Sequence, residues 1–253
     1  MLELILIGLL GFLILTFFYK QAICEFRINQ LDWDKRTQLT GIMAENIPTV
    51  LRGVPVAPFW TQQDVAMRQS YGAAKIFDDQ GLAEWMASTT PDTICPWTLA
   101  HAAEAAAAAG LSTWSQRWLN SAILTVLTAY WLSPTYRCWA GARGLAKTTA
   151  PWTAIFTTEG TATVTIMPEN VAHALPKPWS GLFPGDLTIY DTPFVADLKY
   201  MDIVVRPGTV LLMPAHWFIS WKGDGTVCPM VCTVEYHSPV SRFACALGQG
   251  SLA

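Results

Sequence analysis

Residues Leu4 to Tyr19 carry no charge and are nearly all Leu, Ile, Phe or Gly, which predicts an uninterrupted apolar helix at the start of the chain. Sixteen residues at 1.5 Å each span roughly 24 Å, and Tyr19, Lys20 and Gln21–Cys24 extend the helix toward a ~30 Å hydrocarbon core. No basic segment precedes the run and no Ala-x-Ala-like site follows it, so a retained single-pass anchor over residues 1–24 is favoured over a cleaved leader. Lys20, Arg27, Lys35 and Arg36 all follow it, and the positive-inside rule then places the carboxy-terminal domain on the cytosolic side.

Beyond a polar linker and short helix at 25–46, Pro48-Thr-Val-Leu-Arg-Gly53 reads as a strand closed by a Gly turn. Helical spacing marks Gln62–Tyr71 and Asp79–Met86. The Ala-rich run from Thr98 ends at Gly110, and Ser112 caps a following helix to about Tyr130. From Trp139 the texture turns to β-branched runs broken by Gly and Pro. The strands predicted there are Trp152–Phe156, Ala162–Met167, Leu187–Tyr190, Asp202–Arg206, Val210–Met213, Phe218–Lys222 and Met230–Tyr236. The expected organisation is a domain over 47–245, helix-rich at 47–135 and a β-barrel at 136–245, with a tail at 246–253.

Composition adds two constraints. Hydrophobic residues reach 52% while charged residues are 14%, well below the usual quarter, which implies a surface covered by protein partners or by a membrane. A net charge of −3 without a basic cluster excludes nucleic acid held by counterion release. The cysteines, Cys228 and Cys232 included, lack the second Cys or His pair that a zinc site needs.

The ordered series Pro48-x-Val50-Leu51-Arg52-Gly53, Phe59-Trp60, Trp139-x-Gly141-x-x-Gly144, Glu159-Gly160-x-x-x-Val164-x-Ile166-x-Pro168 and Val205-x-Pro207-Gly208-x-x-Leu211-x-x-Pro214-x-x-Trp217 resembles the cupin-like (JmjC-like) family. The resemblance covers roughly residues 45 to 243. It implies an α+β fold, a double-stranded β-helix barrel with helical additions, here preceded by one transmembrane helix. Active members are Fe(II)- and 2-oxoglutarate-dependent hydroxylases or demethylases. They need two His and one carboxylate on one face of the iron.

Those ligands are not where the family pattern puts them. The His-x-Asp or His-x-Glu pair falls on Pro151 and Thr153, and no His lies between His101 and His173. The only acid between Gly144 and Pro168 is Glu159. The distal His position is Ile219, and His216, three residues earlier, points to the opposite face of a continuous strand. Glu235 and His237 share a strand face and form, with His216 or His173, an alternative metal set. The competing reading is polar capping of the last strand. Lys147 and Thr148 lie near the family's cosubstrate region, where a Lys and a Thr are common without function. His101 and Glu104 read as a pair at a helix start.

The sequence therefore favours a non-catalytic, membrane-anchored scaffold, a pseudoenzyme without cofactor. Its texture is similar to cupin-like proteins of large algal DNA viruses, which implies a minor capsid component at the interface of capsid and internal membrane. The alternatives are an Fe(II)/2-oxoglutarate oxygenase with a rearranged site, and a barrel that binds a peptide or small ligand through aromatics such as Trp152 and Trp217.

Overall fold

The computed structural model describes residues 2–20, 26–68, 75–77, 80, 81, 84, 90–125, 128–225 and 227–247. In chain order the elements are α1 (Leu2–Lys20), β1 (Asn29–Asp32), α2 (Leu39–Met43), β2 (Thr49–Arg52), α3 (Gln62–Met67), β3 (Lys75–Phe77) and β4 (Gln80–Gly81). There follow α4 (Leu99–Ala109), α5 (Leu111–Arg117), α6 (Leu119–Ile123), β5 (Ser133–Ala140), β6 (Arg143–Lys147), β7 (Trp152–Glu159), β8 (Ala162–Pro168), β9 (Met201–Val205), β10 (Thr209–Pro214), β11 (Trp217–Gly223), β12 (Met230–His237) and α7 (Pro239–Leu247).

The strands form a six-stranded sheet, β1-β2-β10-β7-β12-β5, and a four-stranded sheet, β6-β11-β8-β9, beside the small β3-β4 pair. All the pairs in the two larger sheets are antiparallel except β1 with β2. The expected closed barrel is not formed. Closure needs one hydrogen-bonded ladder running all the way round. Here the chain changes sheet between β5 and β6, β6 and β7, β7 and β8, β9 and β10, β10 and β11, and β11 and β12. Gly141, Gly160, Gly208, His216 and Gly225 stand at five of those six corners, all with positive φ. Each corner ends one ladder and starts another, so both sheets stay open and stack face to face.

Between the sheets, Trp139 of β5 meets Trp221 of β11 edge-on at 6.3 Å between ring centroids. The Arg143 guanidinium lies 3.6 Å from the Trp139 ring centroid. Burial lowers that guanidinium to about 10, so it remains charged at neutral pH. The other face of the six-stranded sheet is covered by helices. α4 lies along β5, and Trp114 of α5 packs on Phe156 of β7 at 4.7 Å. A second apolar cluster, including Leu145, Met167 and Phe218, sits behind the four-stranded sheet.

The membrane anchor is also overturned, and single-pass topology, cytosolic orientation and membrane contact through residues 4–19 go with it. No helix among the described residues is long and apolar enough to cross a membrane. At 19 residues, α1 reaches roughly 28 Å only by including Glu3 and Lys20. It docks on α7, with Phe12 and Phe243 edge-to-face at 5.1 Å.

The Ala-rich helix begins at a Thr98 cap completed by the His101 side chain and stops at Gly110 in the left-handed conformation. The long helix expected after Ser112 is broken at Trp118 into α5 and α6. Leu187–Tyr190 is not a strand, because Leu187 follows a 3-10 turn at Pro184–Asp186 and Thr188 to Asp191 fold into a turn. Most of the Asp79–Met86 segment lies outside the described residues.

Candidate functional site

Alternation along β12 sends Val231, Thr233, Glu235 and His237 to one face and Met230, Cys232, Val234 and Tyr236 to the other. Trp139, opposite Val231, contacts Trp221, so the Glu235 face looks toward the four-stranded sheet. Register places Glu235 opposite Thr135 on β5 and Thr153 on β7, and Arg137 opposite Thr233. Arg137 is thus the diagonal neighbour of Glu235, within reach of a long side chain. Its Nη1 pairs with Glu235 Oε1. His237 Nε2 lies 2.9 Å from Glu235 Oε2.

All three side chains are nearly buried: Arg137 is 11% exposed, Glu235 5% and His237 11%. Burial pushes the Glu235 carboxyl up, but the His237 hydrogen bond and the Arg137 guanidinium outweigh it and hold the group below its usual value. An ionised carboxylate only accepts, so His237 Nε2 carries a proton, and in the neutral ring Nδ1 is then the acceptor. His237 Nδ1 and the neighbouring Thr153 Oγ1 are buried and have no hydrogen-bond partner among the described residues.

His216 belongs elsewhere. In the corner between β10 and β11, at φ 67°, its Nδ1 is 3.4 Å from Glu169 Oε2, and Lys147 pairs with the same Glu169 carboxylate. Thr148 fastens that corner. Its Oγ1 donates to the carbonyl of Pro214 (2.8 Å) or Trp217 (3.1 Å) and accepts from the Trp217 N–H at 3.0 Å. Thr148→Val leaves buried backbone groups unpaired, and a loss of about 1–3 kcal/mol is expected in urea unfolding. A midpoint equal to wild type would show that the corner does not depend on this hydroxyl.

Other sequence candidates take structural roles. Glu159 accepts from the Gln62 N–H at the start of α3. His173 Nδ1 bonds the Asn170 carbonyl in an exposed 3-10 turn, and His101 serves the α4 cap. Ile219, fully buried, faces Ala146 and Ile166 within the four-stranded sheet, whereas Thr153 is in the six-stranded sheet and Pro151 just precedes it. Trp152 and Trp217 are buried in the core. Among the described residues no group of three His, Cys, Asp or Glu could hold a metal ion.

Arg137 is not among the sequence candidates, because Ser133–Ala140 lacks the continuous apolar run of the other strands. The alternation Thr135, Arg137, Trp139 is the signal that places it beside Glu235. Also absent from the sequence candidates is a cleft of about 250 Å³ on the outer face of the four-stranded sheet, lined in part by Thr163, Asp202 and Asp224. In it Lys222 pairs with Asp186 at 2.6 Å, and Thr165 bonds Asp202 at 2.6 Å.

No family model and no curated protein matches the chain. Among solved structures, the X-ray structure of E. coli ycfD matches at 13% identity with a TM-score of 0.30, covering 44% of this chain and 27% of that one. This likeness is weak and partial, and identifies no particular protein.

Proposed function

We propose that this chain is a cupin-like β domain that holds a small polar ligand at Arg137, Glu235, His237 and Thr153. The membrane-anchored scaffold and capsid role fall with the anchor. The observation that carries the new reading is a buried carboxylate–imidazole pair beside two buried polar atoms without partners among the described residues, His237 Nδ1 and Thr153 Oγ1. The His237 hydrogen bond and the Arg137 guanidinium together keep Glu235 ionised, and Glu235 orients the ring. His237 Nδ1 can then accept a hydrogen bond or a proton from a ligand hydroxyl, amide or amine, while Thr153 Oγ1 supplies a second contact.

Fe(II) and 2-oxoglutarate, which the family resemblance implies, do not fit the residues present. The centre offers one imidazole and one carboxylate, whose oxygens are engaged by Arg137 and His237, against the three facial ligands that such iron requires. An oxygenase with a rearranged site is the second reading, favoured by Glu235 and His237 lying on one strand face.

Ring ¹⁵N NMR of the full chain tests the first reading. Titration with acetamide, ethanol and methylamine is expected to shift His237 Nδ1 in the wild type and to shift it less in Thr153→Val. No shift with any of the three would overturn it. Anaerobic loading with Fe(II) and 2-oxoglutarate is expected to leave well under one iron per chain. One iron per chain with cosubstrate turnover, both lost in His237→Ala, would establish the oxygenase instead.

A further inference from the structure

On the opposite face of the same strand, Cys232 lies directly across from Cys138 of β5. Their Sγ atoms are 3.3 Å apart, and neither residue has any exposed surface. Directly opposed residues on antiparallel strands hold their Cα atoms at about 4.5 or 5.5 Å, according to whether the pair is hydrogen-bonded. Disulfides take Cα separations of about 4.4–6.8 Å. Backbone and side chains are therefore already placed for a bond, and rotation about the two Cα–Cβ bonds brings the sulfurs together without moving a strand. All five described cysteines are free thiols, and an Sγ–Sγ approach is seen among them for Cys138 and Cys232.

We propose that Cys138 and Cys232 are a redox-active dithiol that closes a cross-strand disulfide between β5 and β12. The reaction is two-electron. Two S–H bonds break, one Sγ–Sγ bond forms, and two electrons and two protons pass to the oxidant. With an azodicarboxamide as oxidant, the N=N bond becomes the hydrazine and the balance is complete. With a small disulfide as oxidant, one thiol displaces a leaving thiolate and the second cysteine resolves the mixed disulfide. The pair lies next to the edge of the sheet, since β5 is an edge strand, and the Ala-rich α4 lies against it there. Ala102, Ala105, Ala106 and Ala109 form the buried face of that helix, so few bulky side chains need to move for a small oxidant to enter.

The test uses the full chain, natively folded and freshly reduced, treated with azodicarboxamide and then denatured for thiol titration, intact mass and peptide mapping. The expected result is loss of two of the six thiols, a mass lower by about 2 Da, and a peptide linking Cys138 to Cys232. Cys138→Ser is expected to abolish that link. Should that variant fail to fold, a Cys95→Ala, Cys245→Ala double variant must still form it. Six intact thiols after treatment, or a link joining any other pair, would overturn the assignment.

Discussion

Gly144→Ala is expected to lose about 3 kcal/mol or more, the range in which a buried clash between backbone groups forces elements apart. A Cβ at position 144 would lie 2.2 Å from the carbonyl carbon and oxygen of Gly181 and 2.3 Å from its Cα. Those atoms are backbone and cannot swing aside. They are held to β6 by a bond from Leu145 N–H to the Leu182 carbonyl at 2.7 Å, with Gly181 N–H returning to the Leu145 carbonyl at 3.3 Å. The added methyl must therefore break the stitch that fastens residues 179–182 to the four-stranded sheet. For a domain of this size each kcal/mol moves the melting temperature by about 2–4 °C, so a drop on the order of 10 °C should appear in circular dichroism. Gly41→Ala in α2 is the matched control. Among the described residues a methyl there meets nothing within 4 Å, and a gain of about 0.5–1 kcal/mol follows from helix propensity. If the two variants melted together, the close approach at Gly181 would not be what position 144 responds to.

Glu235→Gln is the second large effect. Removing the charge strands the Arg137 guanidinium in a nearly dry site, and breaking a buried pair from one side costs about 3–5 kcal/mol. The sign with pH follows from the carboxyl. Its folded value is held below the unfolded one, near 4.3. The wild-type stabilisation is thus present above that unfolded value and disappears as pH falls through the folded one. The gap between wild type and Glu235→Gln should be widest at neutral pH and should narrow below about pH 4, in urea melts across that range. Arg137→Met in the Glu235→Gln background should recover part of the loss, since the stranded cation is then gone. A gap constant down to pH 3 would mean that the carboxylate charge is not the stabilising feature.

The apolar, β-branched runs were legible in the sequence because burial on both faces of a strand leaves a continuous apolar signature. Strands β7, β8, β10, β11 and β12 all lie where that texture placed them. β5 and β6 were not, since Arg137 interrupts one and Gly144 and Lys147 the other. β5 does hold the β-formers Thr135, Tyr136 and Trp139, whereas the strand character of β6 comes from tertiary pairing. The same gap hid the candidate site. Glu235 and His237 were visible as neighbours on one face, but the cation that sets their charge state comes from β5. That Pro151, Thr153 and Ile219 carry no imidazole or carboxylate is a matter of residue identity alone. Barrel closure is not, because nothing in a strand's own composition states which ladder it joins or whether that ladder meets itself.

Strand order carries a last consequence, for the order of events at the ribosome. β2 gains an antiparallel partner only when β10 is made, pairing Val50 with Leu211, and β12 fills the place between β7 and β5. Until residues beyond His237 have left the exit tunnel, β7 and β5 cannot share their common neighbour. The earlier strands must therefore wait, with apolar surface uncovered, for β10 and β12 to arrive. Such long-range pairing slows folding and exposes the nascent chain to aggregation. Production of the intact protein should accordingly respond strongly to translation temperature and to holding chaperones, while fragments ending before β12 should not fold at all.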